Sequence, residues 1–268
     1  MTIRVLISGN GKMGREVLTV ACREADLEPV GVVDLFAGEE YISLPVGSGL
    51  IPFGSNPAAL IRRTRPDVIV DFTNAEWTPP LVQAALEANV RLVIGTSGLP
   101  DSLLKELDKQ CRTRKLGAVV AANFAIGAVL MQYLSRIAGG YFDHAEIIEL
   151  HHDAKADAPS GTAIATAKVM AEGRKKGFVR PMTQKQNVRG TRGGNVDGIT
   201  IHSVRLPGLV AHQEVILGGL GETLRIRHDS TSRESFMPGV LLAIQHVMEH
   251  PGLVMGLDRL MGLDRRAR

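Results

Sequence analysis

"IRVLISGNGKMG", Ile3 to Gly14, is the stretch that decides the fold. A short β-branched run ends in glycines at Gly9, Gly11 and Gly14 and passes straight into a helical pattern. From Lys12 to Arg23, the residues Met13, Val17, Val20 and Ala21 share one stripe. Glycines let the backbone come close to a pyrophosphate, which sits on the helix N-terminus. Asp34 follows Gly14 by twenty residues and ends the next apolar run, "PVGVVD" (Pro29 to Asp34), where a carboxylate can hydrogen-bond ribose hydroxyls. A glycine pattern alone would equally describe a plain strand-to-helix turn. Strand, loop, helix, strand and acid in that order predict a dinucleotide site at Gly9, Asn10, Gly11, Lys12, Met13, Gly14 and Asp34. Leu35 and Phe36 come next, so no arginine stands there to hold a 2′-phosphate.

The rhythm continues outward. "DVIVD" (Asp67 to Asp71), "RLVIG" (Arg91 to Gly95) and "GAVVAA" (Gly117 to Ala122) are continuous apolar runs, the mark of a parallel sheet covered on both faces. "PDSLLKELDKQC" starts with a proline and acids, as helices do. The reading is α/β, with a Rossmann-type doubly wound parallel sheet. Two later loops close predicted strands: "GTSG", with Gly95, Thr96 and Ser97, and "AANF", with Ala121, Ala122, Asn123 and Phe124. Ligands bind at the carboxyl ends of parallel strands, and small residues there admit a nicotinamide; ordinary turns would read the same.

After about Asn123 the pattern changes. "HAEIIEL", "GITIHSVRL", "HQEVILGG" and "ETLRIRH" read as strands with one helix among them, at Thr162 to Glu172. This predicts a second, α+β domain with a mixed or antiparallel sheet. "QKQNVRGTRGGNVDG" (Gln184 to Gly198) reads as a polar, mobile loop. A last helical segment, Ser232 to about His250, is expected to pack back on the first domain. The expected division is 1–124 with 237–268 for dinucleotide binding, and 125–236 for substrate binding and oligomerisation.

Composition excludes several classes. At 44% hydrophobic and 22% charged, the chain is an ordinary globular one. Aromatics are only 4%, with Trp77 the single tryptophan, so base-stacking platforms for nucleic acid are not expected. The net charge of +3 is scattered, and the runs "RRTR", "RTRK", "RKK" and the terminal "RRAR" read as solvated surface. Cys22 and Cys111 have no metal-ligand spacing and no disulfide framework, which fits a reducing cytoplasm. No apolar run approaches the ~20 residues of a membrane span. No metal, nucleic-acid or membrane partner is expected.

One segment is chemically dense: "ELHHDAKADAPSGTA", with His151, His152, Lys155 and then Ser160-Gly161-Thr162 opening a helix. A solvated loop or a decorated helix cap are the plain alternatives. Read as a site, the helix start offers unpaired N–H groups and a positive dipole end, and Gly161 adds close access. Lys155 beside it completes an anion cradle, and a histidine can donate a proton near neutral pH. These parts suit a small carboxylate substrate that is protonated as it is reduced.

The sequence also resembles the 4-hydroxy-tetrahydrodipicolinate reductase (dihydrodipicolinate reductase) family of lysine and diaminopimelate biosynthesis. The resemblance runs nearly end to end, through the glycine loop, "VDFT" (Val70 to Thr73), "GTSG", "AANFAIG", "ELHHDAKADAPSGTA" and "HDSTSRESF". It implies His151 as the proton donor or acceptor and Lys155 as the second catalytic group. His152, Ser160, Gly161 and Thr162 become substrate contacts. Gly9 to Gly14, Asp34, Gly95 to Ser97 and Ala121 to Phe124 become the cofactor site. It further implies hydride transfer from NAD(P)H to C4 of the dehydrated ring, and a homotetramer built through the second domain's sheet. Two features depart from many members: one residue fewer between the first two loop glycines, and Leu35 where many carry arginine. Both bear on cofactor preference. Asp34 with Leu35 and Phe36 predicts a modest preference for NADH, with NADPH usable. The alternatives are a related amino-acid dehydrogenase, or a nicotinamide-responsive regulator, which should have lost the His-His-Lys cluster.

Overall fold

The computed structural model describes residues 2–172, 174 and 176–263. Lys175 of the "RKK" run, the terminal "RRAR" and the end of the expected 237–268 segment lie outside these residues. In chain order the elements are β1 (Ile3–Ser8), α1 (Lys12–Arg23), β2 (Leu27–Val33), β3 (Tyr41–Ser43), β4 (Leu50–Gly54), α2 (Pro57–Thr64), β5 (Val68–Asp71) and α3 (Thr78–Glu87). Then come β6 (Arg91–Ile94), α4 (Asp101–Arg114), β7 (Gly117–Val120), α5 (Ile126–Gly139), β8 (His144–His151), α6 (Gly161–Glu172) and β9 (Gly194–Val196). The chain ends with β10 (Ile199–Arg205), β11 (Ala211–Gly219), β12 (Glu222–Ser230), a 3₁₀ turn (Arg233–Phe236), α7 (Met237–Glu249), β13 (Gly252–Met255) and α8 (Leu257–Leu260).

Two compact units result, Met1–Ile126 with Phe236–Arg268, and Gly127–Ser235. In the first, the sheet order is β13-β7-β6-β5-β1-β2-β4-β3. All pairings are parallel except β3 with β4 at the edge. Strand order reverses at β1, with β2 on one side and β5 on the other, and ligands of such sheets bind outside the carboxyl ends at that point. β5 and β7 are buried at every residue, which explains their unbroken apolar runs. Leu60, Ile61, Leu81, Ala85, Leu107 and Cys111 of α2, α3 and α4 pack against Leu6, Ile69, Leu92 and Val120 of the sheet. On the other side α1 packs on β1, β2 and α7, and α7 on β5, β6 and β7. Pro238 sits in the first turn of α7, where its missing N–H costs nothing, and the 3₁₀ turn precedes it.

The second unit has the order β12-β11-β8-β10-β9. β8 and β10 are parallel, joined through α6; the other neighbours are antiparallel. Ala163, Ala167 and Met170 of α6 bury Ile147, Ile199, Ile201, Val215 and Leu217. Here the structure corrects three expectations. The segment read as a loop from Gln184 to Gly198 contains β9, which forms a hairpin with β10, Val196 facing Ile199. Its two-residue turn, Asp197-Gly198, has φ of 51° and 84°, the type I′ geometry that Asp-Gly favours. The strand expected to stop before His151 runs through it, so His151 is a strand residue with side-chain direction fixed by the pleat. The expected helix at Thr162 begins one residue earlier, at Gly161.

Candidate active site

In the first unit the glycine loop is shaped by backbone demands. Gly9 has φ +97°, outside the range of ordinary side chains, and donates its N–H to Val33 O at 2.8 Å. A Cβ on Gly14 would lie 1.8 Å from Gly9 O, so loop and helix can touch only through glycine. α1 then starts at Lys12 with Gly11 as its N-cap, and no side chain caps it. That leaves first-turn N–H groups of the kind that bind a pyrophosphate. Lys12 is exposed and Met13 half-buried. Asp34 is tied to the same loop: Oδ2 accepts from Asn10 N at 2.6 Å and Oδ1 from Phe36 N at 2.9 Å. Each carboxylate oxygen keeps acceptor capacity for a ribose hydroxyl. Arg15 also reaches the loop, its Nε donating to Asn10 O at 3.2 Å.

Beside the glycine loop lies a carboxylate that the sequence reading passed over. Asp71, at the end of β5, is fully buried. Its Oδ1 accepts from Ser8 Oγ and Thr73 Oγ1, both at 2.7 Å. Its Oδ2 accepts from Thr78 Oγ1 at 2.6 Å and Thr96 Oγ1 at 2.8 Å. Thr96 Oγ1 in turn accepts from Thr73 N at 3.0 Å, and Trp77 Nε1 donates to Ser8 Oγ at 3.0 Å. One side chain therefore locks the ends of β1 and β5, the start of α3 and the "GTSG" loop. Gly95 N bonds Asp71 O, Ala121 N bonds Ile94 O, and Phe124 meets Phe72 edge-on at 5.4 Å. The structure thus gathers Gly9–Gly14, Asp34, Gly95–Ser97 and Ala121–Phe124 along the carboxyl edge of one sheet. Ala122, Ser97 and Gly11 are exposed there, and Asn123 is half-buried, its Oδ1 capping Ala125 N.

In the second unit the histidine segment is organised by a second buried carboxylate, Glu149, at 0% exposure. His151 Nδ1 lies 2.5 Å from Glu149 Oε2. Arg205, across the β8–β10 pair from His151, grips both oxygens, Nη1 to Oε2 at 2.9 Å and Nη2 to Oε1 at 2.8 Å. Ser160 N donates to Oε1 at 3.3 Å, which joins the strand to the start of α6. Arg205 Nη2 also holds Asp157 O at 2.8 Å, fixing the intervening loop. Lys155 Nζ pairs with the exposed Asp157 carboxylate at 2.6 Å. Ser160 is buried, and its hydroxyl accepts from Ala163 N, capping α6. Gly161 is exposed, with open space where a Cβ would stand, and Thr162 is half-buried. His152 is half-buried, and its carbonyl accepts from Lys155 N. The Ala158–Pro159 bond is cis.

The charges shape this cluster. Burial pushes the His151 imidazole below its ordinary value; Glu149 opposes that, while Lys155 and Arg205 add to it. Burial pushes Glu149 up, but hydrogen bonds from Arg205, Ser203 and His151 outweigh it and hold the carboxyl below its usual range.

The two halves of one family cover nearly the whole chain. The family model described as "Dihydrodipicolinate reductase, N-terminus" matches residues 3–124, and "Dihydrodipicolinate reductase, C-terminus" matches 127–261. The chain belongs to the dihydrodipicolinate reductase family. Within it, a 4-hydroxy-tetrahydrodipicolinate reductase of Dehalococcoides mccartyi is 48% identical over 262 residues, covering 97% of this chain and 99% of the relative. One from Moorella thermoacetica is 46% identical, covering 97% and 98%. A solved dipicolinate-bound dihydrodipicolinate reductase from Paenisporosarcina sp. TG-14 superposes with a TM-score of 0.85 at 43% identity, covering 97% of this chain and 99% of that one. An amine dehydrogenase of Mycobacterium smegmatis, TM-score 0.67 at 14% identity, shares the fold.

Glu149, Arg205 and Asp71 went unread in the sequence, though one signal existed. Glu149 lies in the predicted strand and His151 only two residues on, so that continuing the strand by one residue puts both on one face. Among the described residues, no cluster of three or more His, Cys, Asp or Glu could hold a metal ion, and no helix is long and apolar enough to cross a membrane.

Proposed function

We propose that this chain reduces 4-hydroxy-tetrahydrodipicolinate to tetrahydrodipicolinate, in lysine and diaminopimelate biosynthesis, with His151 delivering the proton. The observation that carries the reading is the His151–Lys155–α6 cluster, in a chain 48% identical to a reductase of that name. The other half of the reaction belongs to the nicotinamide cofactor of the family, NAD or NADP, for which the uncapped α1 start, Gly9 and Asp34 are suited. When bound, the reduced nicotinamide supplies the hydride.

Hydride addition at C4 of the dehydrated ring leaves negative charge shared between the ring nitrogen and the carbon next to C4, and a proton on that carbon completes the imine product. His151 would give it, from the nitrogen that Glu149 does not occupy. Lys155 and the N–H groups of Gly161 and Thr162 hold a substrate carboxylate. The pairing of Lys155 with exposed Asp157 is worth only ~0–1 kcal/mol, so an arriving carboxylate can take its place. His152 and Ser160 line or brace the same segment. Asp34 takes the adenosine ribose, favouring NADH modestly over NADPH. The loops Gly95–Ser97 and Ala121–Phe124 admit the nicotinamide. The dicarboxylate substrate follows the dipicolinate carried by the Paenisporosarcina relative. The working form is a cytoplasmic homotetramer joined through the β8–β12 sheet.

The test is direct. The purified protein is mixed with NADH and freshly made product of the preceding synthase, and NADH absorbance is followed. Loss of NADH that depends on both protein and substrate is expected; its absence would overturn the assignment.

A further inference from the structure

We propose that Glu149 and Arg205 form a positioning pair for His151, which fixes the imidazole with Nδ1 protonated and turned inward, so that Nε2 is the atom offered to substrate. The inference rests on the reading of His151 as the acid, and adds two residues to it.

The geometry leaves little choice of tautomer. An ionised carboxylate only accepts hydrogen bonds, so the Nδ1 at 2.5 Å from Glu149 Oε2 carries the hydrogen. Nε2 is then the nitrogen that gains and loses a proton. Glu149 cannot turn away, because Arg205 holds both its oxygens and Ser160 N holds one of them. Arg205 is itself fixed by the carbonyls of Val204 and Asp157. β8 places Glu149 and His151 on one face, and β10 brings Arg205 across from them. Strand placement and this contact together aim the ring.

Charge matters as much as direction. A lone buried carboxylate beside His151 would stabilise the imidazolium and make it a reluctant donor. Arg205 cancels most of that charge, which leaves the proton on Nε2 transferable. The other charged groups near the ring are Lys155, which disfavours the imidazolium, and its partner Asp157. From β11 the residue opposite His151 is Ala211, which brings no charge.

The two partners act on the ring with opposite sign, and that separates positioning from mere support. His151 is followed by NMR titration of its ring in the whole protein, without substrate, alongside the pH profile of kcat. Glu149→Gln keeps a hydrogen-bond acceptor but removes the charge. It should lower the midpoint of the His151 titration by about one pH unit or more, and kcat at neutral pH about tenfold or more. Arg205→Met leaves Glu149 unopposed and should raise the midpoint. Arg205→Lys restores the charge and should return it towards wild type, which keeps the test usable should Arg205→Met fail to fold. Midpoints that stay put in Glu149→Gln, or that move the same way in Glu149→Gln and the charge-removing arginine variant, would overturn the pairing. Opposite shifts support it. If the midpoints move as expected while the kcat limb does not follow, the pairing stands and the acid role of His151 falls instead.

Discussion

Each unit of this chain is built around one fully buried carboxylate at its functional edge, and the two are held in different ways. Asp71 is surrounded by four hydroxyls, from Ser8, Thr73, Thr78 and Thr96. Glu149 is held by a guanidinium, an imidazole, the Ser203 hydroxyl and one backbone N–H. Hydroxyls do not titrate near neutral pH, so the partners of Asp71 fix its geometry. An imidazole does titrate there, so the Glu149 cluster links geometry to a proton. On the proposed function the difference matches the tasks: the first edge would have only to hold a cofactor, whereas the second would have to move a proton.

The sharpest way to break the comparison is His151→Gln. If the second edge exists to deliver a proton, turnover should fall by roughly 10²–10⁴-fold, while substrate binding suffers less and NADH binding stays unchanged. Near-normal turnover at saturating substrate would remove the proton role, and with it the contrast. Asp71→Ala tests the other side. Four hydroxyl donors lose a buried acceptor, and a loss of about 3 kcal/mol in stability is expected, because unmet buried polar groups cost ~1–3 kcal/mol each and some will pair anew. NADH affinity should drop with it, yet the pH profile of kcat should keep its shape. A shifted profile would show that Asp71 also takes part in proton movement.

Much of this was legible in the sequence, and the reasons are physical. The central strands β1, β2, β5, β6 and β7 announce themselves because strands covered on both faces must be apolar throughout. The edge strand β3 and the short β9 carry no such run, and β4 and β13 are apolar over only three or four residues beside proline or glycine. The Asp197-Gly198 turn was the available sign of β9, outweighed in the reading by the polar, glycine-rich stretch around it. In the site, His151, Lys155, Gly161 and Thr162 are visible because they lie within a dozen residues. Arg205 meets Glu149 only through strand pairing across 56 positions, and the Asp71 partners run from Ser8 to Thr96. Long-range polar partners leave no periodic trace.

Lys155→Ala sharpens the second edge further. A charged hydrogen bond to a carboxylate is worth ~1.5–3 kcal/mol, so binding of pyridine-2,6-dicarboxylate should weaken about 10- to 100-fold, with NADH binding hardly changed. Equal dicarboxylate binding by calorimetry would place the cradle elsewhere and leave Lys155 as the partner of Asp157 alone.

The smallest effect concerns the first edge and its choice of cofactor. Asp34 would repel a 2′-phosphate, and Leu35 and Phe36, 59% and 87% exposed, offer that phosphate no charge. Two cations belong to the same loop and helix start: Lys12, and Arg15, whose Nε donates to Asn10 O. Exposed pairs of this kind change affinity by less than about tenfold, so they offset part of the repulsion without reversing it. A modest NADH preference in kcat/KM follows, with NADPH still used. Arg15→Ala should widen that preference, and Asp34→Asn should narrow it. Because the Asp34 carboxylate also accepts from Asn10 N and Phe36 N, the asparagine variant should weaken both cofactors somewhat. A clear NADPH preference in the unaltered protein would mean that Lys12 and Arg15 together outweigh Asp34, making this edge, like the other, one governed by balanced charge.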